Sequence, residues 1–391
     1  MVAEFNVYCA ICCCPLGGSC EVGSTNPWHL KLRRARVARR TYSRRTGSLY
    51  YETDEEEEDE KEERLSKMPW LRETAEADVD EDTASVNSDD YDHSYDPDVI
   101  SPEDLSWLNT VFALGIAHRK PGPRTYMLCD CYYDDRNRVY IHDTDPDDSD
   151  EQSRYFAYGV SDLTDPPVFP VHWECIVLLS RAIGISSVAS IQKNVLYDVM
   201  LDLADFSCLN LSYGDITGPD QDWQCIPGEE YSVVCPTLEF DMGHQIIVDF
   251  EAGLFESQKP LELGNKVIKD PFTNMPYDVI YLILQYLPGD SIMALNRASW
   301  AILTLTRSNS FWKNRLAGDM VWLWELQQYF ESPESSRVRN YKSLYLWLDK
   351  KTQPLYGLTG TFMGIANRRR IWGPCTELAE RYHRKLHGSL Q

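Results

Sequence analysis

At 391 residues, with 43% hydrophobic and 12% aromatic side chains, the chain has material for two or three cored domains, which excludes a globally disordered protein. The formal charge of −23 is concentrated: residues 52 to 104 hold 23 acidic and 4 basic side chains, which leaves the remainder near −4, ordinary for a soluble protein. No membrane span is expected, because the most apolar run, Cys175 to Ile185, is broken by Ser180 and Arg181 and falls short of the roughly 18 to 20 residues required.

The start, Met-Val-Ala-Glu-Phe-Asn, has neither the basic region nor the apolar stretch of a secretory signal, so a cytoplasmic and/or nuclear location is expected. In a reducing compartment the 12 cysteines read as thiols or metal ligands rather than disulfides. Residues 1–30 form a Cys-rich segment too short for a core of its own, with Tyr8, Ile11 and Trp28 available to dock on a later domain. Residues 31–101 read as a linker, first basic (Arg33, Arg34, Arg36, Arg39, Arg40, Arg44, Arg45) and then Asp/Glu/Ser-rich from Glu52 onward. Such a composition does not offset the entropy of ordering its backbone, and disorder is predicted. The arginines lack aromatics at a stacking spacing and abut the acids, so a solvated tail is expected and nucleic-acid binding is not. Ser88, before Asp89-Asp90, has the context of an acid-directed phosphorylation site.

From 102 to 265 aliphatic and aromatic residues return. Arg124 to Leu128, Arg138 to His142 and Glu230 to Cys235 have β-type patterns. His172 to Ile183 is helical, and Ile191, Val195, Val199 and Leu203 place an apolar stripe on a second helix. The mixture predicts an α+β central domain. The loop Asp143 to Glu151 is acidic but lacks the Gly and closing Glu of a calcium loop, and reads as solvated surface.

Two ligand pairs stand out: Cys9-x-x-Cys12 and His172-x-x-Cys175 have the spacing with which a turn or first helical turn places two donors on one tetrahedral zinc ion. Cys175 falls where a helix begins, a position that favours a thiolate, and the whole resembles treble-clef zinc sites. Structural zinc on these four residues would clip the N-terminal segment to the central domain and leave no open position for catalysis. The alternative is that the cysteines are small buried hydrophobes and His172 is a hydrogen-bonded loop residue, while Cys13, Cys14, Cys20, Cys129 and Cys131 offer other sulfur combinations.

Residues 270–317 read as three short helices. Pro276 opens the first, which carries Val279, Ile280, Ile283, Leu284 and Leu287 at three- and four-residue steps. Pro288-Gly289 stops it, Asp290 is placed to cap the second (Asp290 to Leu305), and Ser310 to cap the third, ahead of Phe311 and Trp312. Residues 318–391 continue as a helical C-terminal region, including Asp319 to Phe330 and Tyr341 to Leu348, with Arg368, Arg369 and Arg370 expected at the surface. About 42 residues from 275 to 316 cannot hide this much apolar surface alone.

Met275-Pro276, the helix after it, Tyr286-Leu287-Pro288, Ile292/Leu295, Arg297-Ala298-Ser299 and Phe311-Trp312 together resemble the F-box family. The Phe-Trp-Lys-Asn-Arg ending, the Asn367-Arg-Arg-Arg-Ile-Trp372 segment and the two ligand pairs resemble the F-box proteins abundant in filamentous fungi. Met275 stands where the family has Leu, a replacement costing below about 1.5 kcal/mol, and Ala298-Ser299-Trp300 replaces Val-Ser-x-x-Trp. The resemblance implies a substrate-recruiting subunit of a cullin-RING (SCF-type) ubiquitin ligase that binds a Skp-type adaptor and, through it, a cullin. Met275, Pro276, Ile280, Ile283, Leu284, Leu287 and Trp312 would then face or support the adaptor, while an unknown protein substrate is recruited elsewhere. No nucleophile elbow, phosphate loop or His-Glu-x-x-His pattern occurs, so no intrinsic enzyme activity is expected. The competing reading is a zinc-stabilised regulatory interaction module unrelated to ubiquitin.

Overall fold

The computed structural model describes residues 7–16, 99–117, 124–134, 138–141, 153–158, 166–214, 216, 228–241, 244–245, 248, 269–331 and 340–388. Residues 31–98 of the expected linker, including Ser88, lie outside them, as do Cys20, Trp28 and the Asp143 to Glu151 loop. The chain divides into two compact units, Met1–Leu238 with Pro354–Gln391, and Glu239–Gln353.

The first unit is built on an antiparallel sheet, with β1 (Val111–Ile116), β2 (Tyr126–Asp134), β3 (Arg138–Ile141), β4 (Ser153–Phe156) and β5 (Phe169–His172) in the order β4-β3-β2-β1-β5. The sheet curls until its edges meet: Val168 donates its N–H to the Phe156 carbonyl (2.9 Å), and Tyr158 donates to the Val168 carbonyl (3.2 Å). Closure of this kind removes exposed strand edges. It also brings the Val168 side chain across β1 at Gly115, where a Cβ would lie 2.5 Å from Val168 Cγ1. Gly115→Ala is therefore expected to destabilise this unit by about 1–3 kcal/mol through overpacking, read as a lower denaturant midpoint.

β5 runs directly into α1 (Trp173–Ile183), which ends at Gly184 in the left-handed conformation (φ 81°) that closes many helices. In α2 (Lys193–Leu203) the expected stripe of Val195, Val199 and Leu203 is buried, with Ile191 before it. The strand expected over Glu230 to Cys235 is instead a 3-10 turn, Glu230–Val233. Its carbonyls have no ladder partner and are met by side chains: the Trp107 indole donates to Val233 (2.8 Å) and Asn367 to Val234 (2.7 Å).

The second unit is helical where described: α3 (Tyr277–Tyr286), α4 (Gly289–Ala298), α5 (Trp300–Leu305), α6 (Asn309–Asp319), α7 (Trp324–Glu331) and α8 (Tyr341–Lys351). The expected helix from Asp290 to Leu305 is split at Ser299, whose backbone is extended and whose hydroxyl accepts the Ile302 N–H and bonds Asp270 (2.9 Å). A serine that satisfies an orphan N–H starts a new helix instead of continuing the old one. Residues 277–319 thus hold four short helices, not three. Asp290 sits inside the first turn of α4 rather than capping it, and Ser308, not Ser310, caps α6 through the Phe311 N–H (3.2 Å). Asp319 closes α6 instead of opening the next helix.

This unit packs around Ile280, Leu284, Ile292, Ile302, Trp312, Leu316, Leu344 and Leu348, all buried. Trp312 donates its indole N–H to the Thr306 carbonyl (2.7 Å) and lies against the Tyr345 ring. Trp312→Ala is expected to cost about 3–5 kcal/mol, measured by chemical denaturation. Arg315 of α6 donates to the carbonyls of Leu284 (2.6 Å), Gln285 (3.1 Å) and Leu287, closing the C-terminal end of α3, where carbonyls lack helical partners.

The last helix, α9 (Met363–Gly388), belongs to the first unit, so the expected helical region 318–391 is divided between the two. Ile371, Cys375, Leu378 and Tyr382 recur at three- and four-residue steps and are buried, giving α9 an apolar stripe that packs on α1, α2 and the 3-10 turn. Arg368 and Arg370, expected at the surface, are buried in its N-terminal third. No helix of the described residues is long and apolar enough to cross a membrane.

Candidate metal centre and apolar face

Residues 7–16 are buried throughout. They are held by backbone rather than by a core of their own: the Ala10 N–H donates to Pro170 of β5 (2.8 Å), the Tyr8 N–H to Ser207 (3.0 Å), and the Tyr158 hydroxyl to the Tyr8 carbonyl (2.5 Å). Within the segment Tyr8 bridges Pro15, the Cys9 N–H donates to Cys14 (3.0 Å) and the Cys13 N–H to Cys9 (2.9 Å). The knuckle closes because Cys13 takes a left-handed conformation (φ 57°), which costs a non-glycine residue roughly 1–2 kcal/mol. Cys9 and Cys12 are thereby pointed to one side.

Opposite them stand the other two expected ligands. His172 ends β5 and occupies the N-cap position of α1, and Cys175 lies in that helix's first turn. The ligand atoms of Cys9, Cys12, His172 and Cys175 all lie within 4.8 Å of one another and all four residues are buried. Zinc–sulfur bonds of about 2.3 Å imply tetrahedral edges of roughly 3.8 Å, so a small contraction would close a shell. The imidazole is already oriented. Nε2–H donates to the Pro15 carbonyl (3.0 Å) and the Trp107 ring packs edge-on, which leaves Nδ1 facing Cys12 Sγ at 3.3 Å. A backbone carbonyl on the remote ring nitrogen is the outer-shell partner that metal-bound histidines have.

The electrostatics point the same way. Burial alone would push the Cys9 thiol up, yet contacts from Cys12 and Cys175 and the charge of His172 hold it well below its ordinary value. Burial works against a charged His172, and the Cys9 sulfur outweighs it and raises the imidazole pKa. Burial raises the Cys12 and Cys175 thiols. Without a metal the pocket thus favours one thiolate, Cys9, and keeps Cys12 and Cys175 as thiols; a divalent cation bound there would displace their protons. Three sulfurs and one imidazole form a donor set suited to zinc, and the cluster can hold a metal ion. Of the other cysteines considered, Cys129 and Cys131 lie on β2 and do not join the cluster. Cys13 and Cys14 are buried in the knuckle beside it.

In the second unit the residues expected to meet an adaptor fall into two sets. Ile280, Leu284 and Trp312 are core, Ile283 and Leu287 are half-buried, and Met275 and Pro276 are exposed. Sequence reasoning singled out Met275 and Val279 but not the solvent-facing stripe they form with Leu282 and Tyr286. Met275, Val279, Leu282 and Tyr286, spaced four, three and four residues apart, are 39%, 43%, 53% and 87% exposed. The helix is therefore apolar on two faces, one in the core and one in solvent. The signal was present, since these positions share helical spacing, but both stripes together read as one wide face.

Comparisons of the chain with protein-family models, with curated proteins and with solved structures found no match.

Proposed function

We propose that the chain is a substrate-recruiting F-box subunit of a cullin-RING ubiquitin ligase, and that Glu239–Gln353 carries the F-box, which binds a Skp-type adaptor. The observation that supports this reading best is the exposed stripe of Val279, Leu282 and Tyr286 on α3, extended by Met275 just before the helix. A solvent-facing apolar row of this regularity on a helix whose opposite face already supplies the core is the anchor pattern of helix-mediated recognition. Ile283 and Leu287 border the stripe, Ile280, Leu284 and Trp312 support it from beneath, and Arg315 fixes the end of the helix that presents it. The protein supplies proximity, not chemistry. In this reading the first unit is an α+β body clipped by structural zinc on Cys9, Cys12, His172 and Cys175, with an acidic insert between the N-terminal ligands and the sheet.

Binding of the purified full-length chain to a purified Skp-type adaptor tests the proposal, with another F-box protein as the competence control. Stoichiometric complex formation is expected. A competent adaptor that ignores the chain would overturn the reading and leave the zinc-stabilised interaction module, which the buried ligand cluster favours.

A further inference from the structure

Arg370 is a buried cation with an unusual set of partners. From the N-terminal third of α9, Nη1 donates to the Cys12 carbonyl (2.8 Å) and the Tyr213 carbonyl (3.2 Å). Nη2 donates to Asn367 Oδ1 (2.8 Å), the Ser232 carbonyl (3.3 Å) and Cys14 Sγ (3.3 Å), and Nε to Asn367 Oδ1 (3.1 Å). Among the described residues none of these partners is a carboxylate. A guanidinium does not give up its proton in a protein, and an ion taken out of water without a counter-charge costs several kcal/mol. Neutral carbonyls satisfy its N–H groups but not its charge.

The ligand cluster lies close enough to supply a counter-charge. Arg370 binds the carbonyl of Cys12 and the sulfur of Cys14, two residues of the knuckle that carries half of the ligand cluster. A divalent ion on three thiolates and one neutral imidazole has a formal charge of −1, and a single guanidinium balances it. Cys14 is the rival anion, since Arg370 bonds its sulfur and a contact from Cys12, with the Arg370 charge, lowers its thiol to about 7; against it, the same sulfur lies 3.2 Å from the Ser232 carbonyl, an acceptor that only an S–H can meet. We propose that Arg370 is the resident counter-cation of an anionic metal–thiolate centre formed by Cys9, Cys12, His172 and Cys175. This rests on the reading that the cluster holds a divalent metal. It assigns α9 a role in the site although α9 supplies no ligand: the helix delivers the charge that makes three thiolates around one ion tolerable in a dry interior. Conversely, the loaded site stabilises the burial of Arg370 and so fastens the C-terminal helix to the N-terminal knuckle.

The test is the zinc affinity of the full-length chain, by competition with a chromophoric chelator at fixed pH, together with the visible spectrum of the cobalt(II)-substituted protein. Arg370→Met is expected to weaken zinc binding by about 10–100-fold, the range for outer-shell partners of a metal site. The cobalt(II) bands should stay where they are, since the four ligands are unchanged. Arg370→Lys, which keeps the charge and loses the fork, should recover part of the loss. Cys14→Ala should remain close to wild type. Should Arg370→Met not fold, Asn367→Asp keeps the arginine and places a carboxylate within hydrogen-bond reach of it. The guanidinium charge is then met locally, and zinc affinity should again fall. Wild-type affinity in Arg370→Met or, where only it folds, in Asn367→Asp overturns the proposal, as does a loss in Cys14→Ala equal to that in Arg370→Met. A wild-type chain that takes up no metal overturns the metal reading itself, a result distinct from either.

Discussion

With zinc on the cluster, as proposed, replacing Cys9 and Cys175 by serine together is expected to abolish its binding to the purified chain, and with it the cooperative unfolding of the first unit. Cys12 and His172 lie 160 residues apart, so a metal on the cluster would cross-link the N-terminal segment to β5 and α1. Residues 7–16 have no core of their own and owe their position to backbone bonds with Pro170, Ser207 and Tyr8's partner Tyr158. Metal binding to a site that the unfolded chain does not preform appears directly as folding free energy, on the order of 10–16 kcal/mol for structural zinc in small domains, which is comparable to the whole stability of a typical domain. Even a fraction of that leaves the unit without a sharp transition. Elemental analysis and thermal melting followed by near-UV circular dichroism read the two effects together. Strong chelation of the wild type should reproduce the variant, while Cys129→Ser, outside the cluster, should keep its metal. A metal-free wild type with an unchanged melting transition would remove zinc from the account of this fold.

Leu282→Asp with Tyr286→Asp is expected to abolish adaptor binding without unfolding the second unit. Both side chains are more than half exposed, so their replacement changes stability little, usually within about 0.5 kcal/mol at sites with no special contacts. Placing two carboxylates in the middle of an apolar contact removes anchors worth roughly 2 kcal/mol or more each, a combined loss of at least about 100-fold in affinity. Ile280→Asp with Leu284→Asp makes the contrast, because both residues are core and a buried unpaired charge should unfold the unit outright. Titration calorimetry against the adaptor, paired with a denaturation curve for each variant, separates recognition from folding. Full affinity in the Leu282/Tyr286 variant would show that the exposed stripe is not the contact.

The residues of the metal cluster were legible in the sequence because ligand spacing is a local property. Cys9-x-x-Cys12 has to be a turn, and His172-x-x-Cys175 opens a helix, whatever surrounds them. The helices of residues 277–319 were legible for the same reason, through Pro276, the three- and four-residue apolar steps and the serine caps, although Ser308 and Ser299 took roles that spacing alone gave to Ser310 and to a continuous helix. The curled sheet was only half visible. β1 and β5 are short and buried along their length, so they lack the alternation that marks a half-solvated strand.

What the sequence determined by itself is therefore the local chemistry: which side chains can ligate a metal, where helices start, and that Tyr277 to Leu287 is apolar beyond the needs of one face. Three things were decided only by tertiary structure. Closure of the sheet at Val168 and Gly115 and the docking of residues 7–16 on β5 brought together ligand pairs separated by 160 residues, and no local pattern encodes such a meeting. The packing of α9 on α1 and the 3-10 turn carried Arg370, by its sequence a surface residue, to the cysteine knuckle. And burial of Ile280 and Leu284 on one side of α3 left Met275, Val279, Leu282 and Tyr286 exposed. The physical reason is common to all three: helical and ligand periodicity are set by backbone geometry within a few residues, whereas burial is set by whichever distant surface arrives to cover a face.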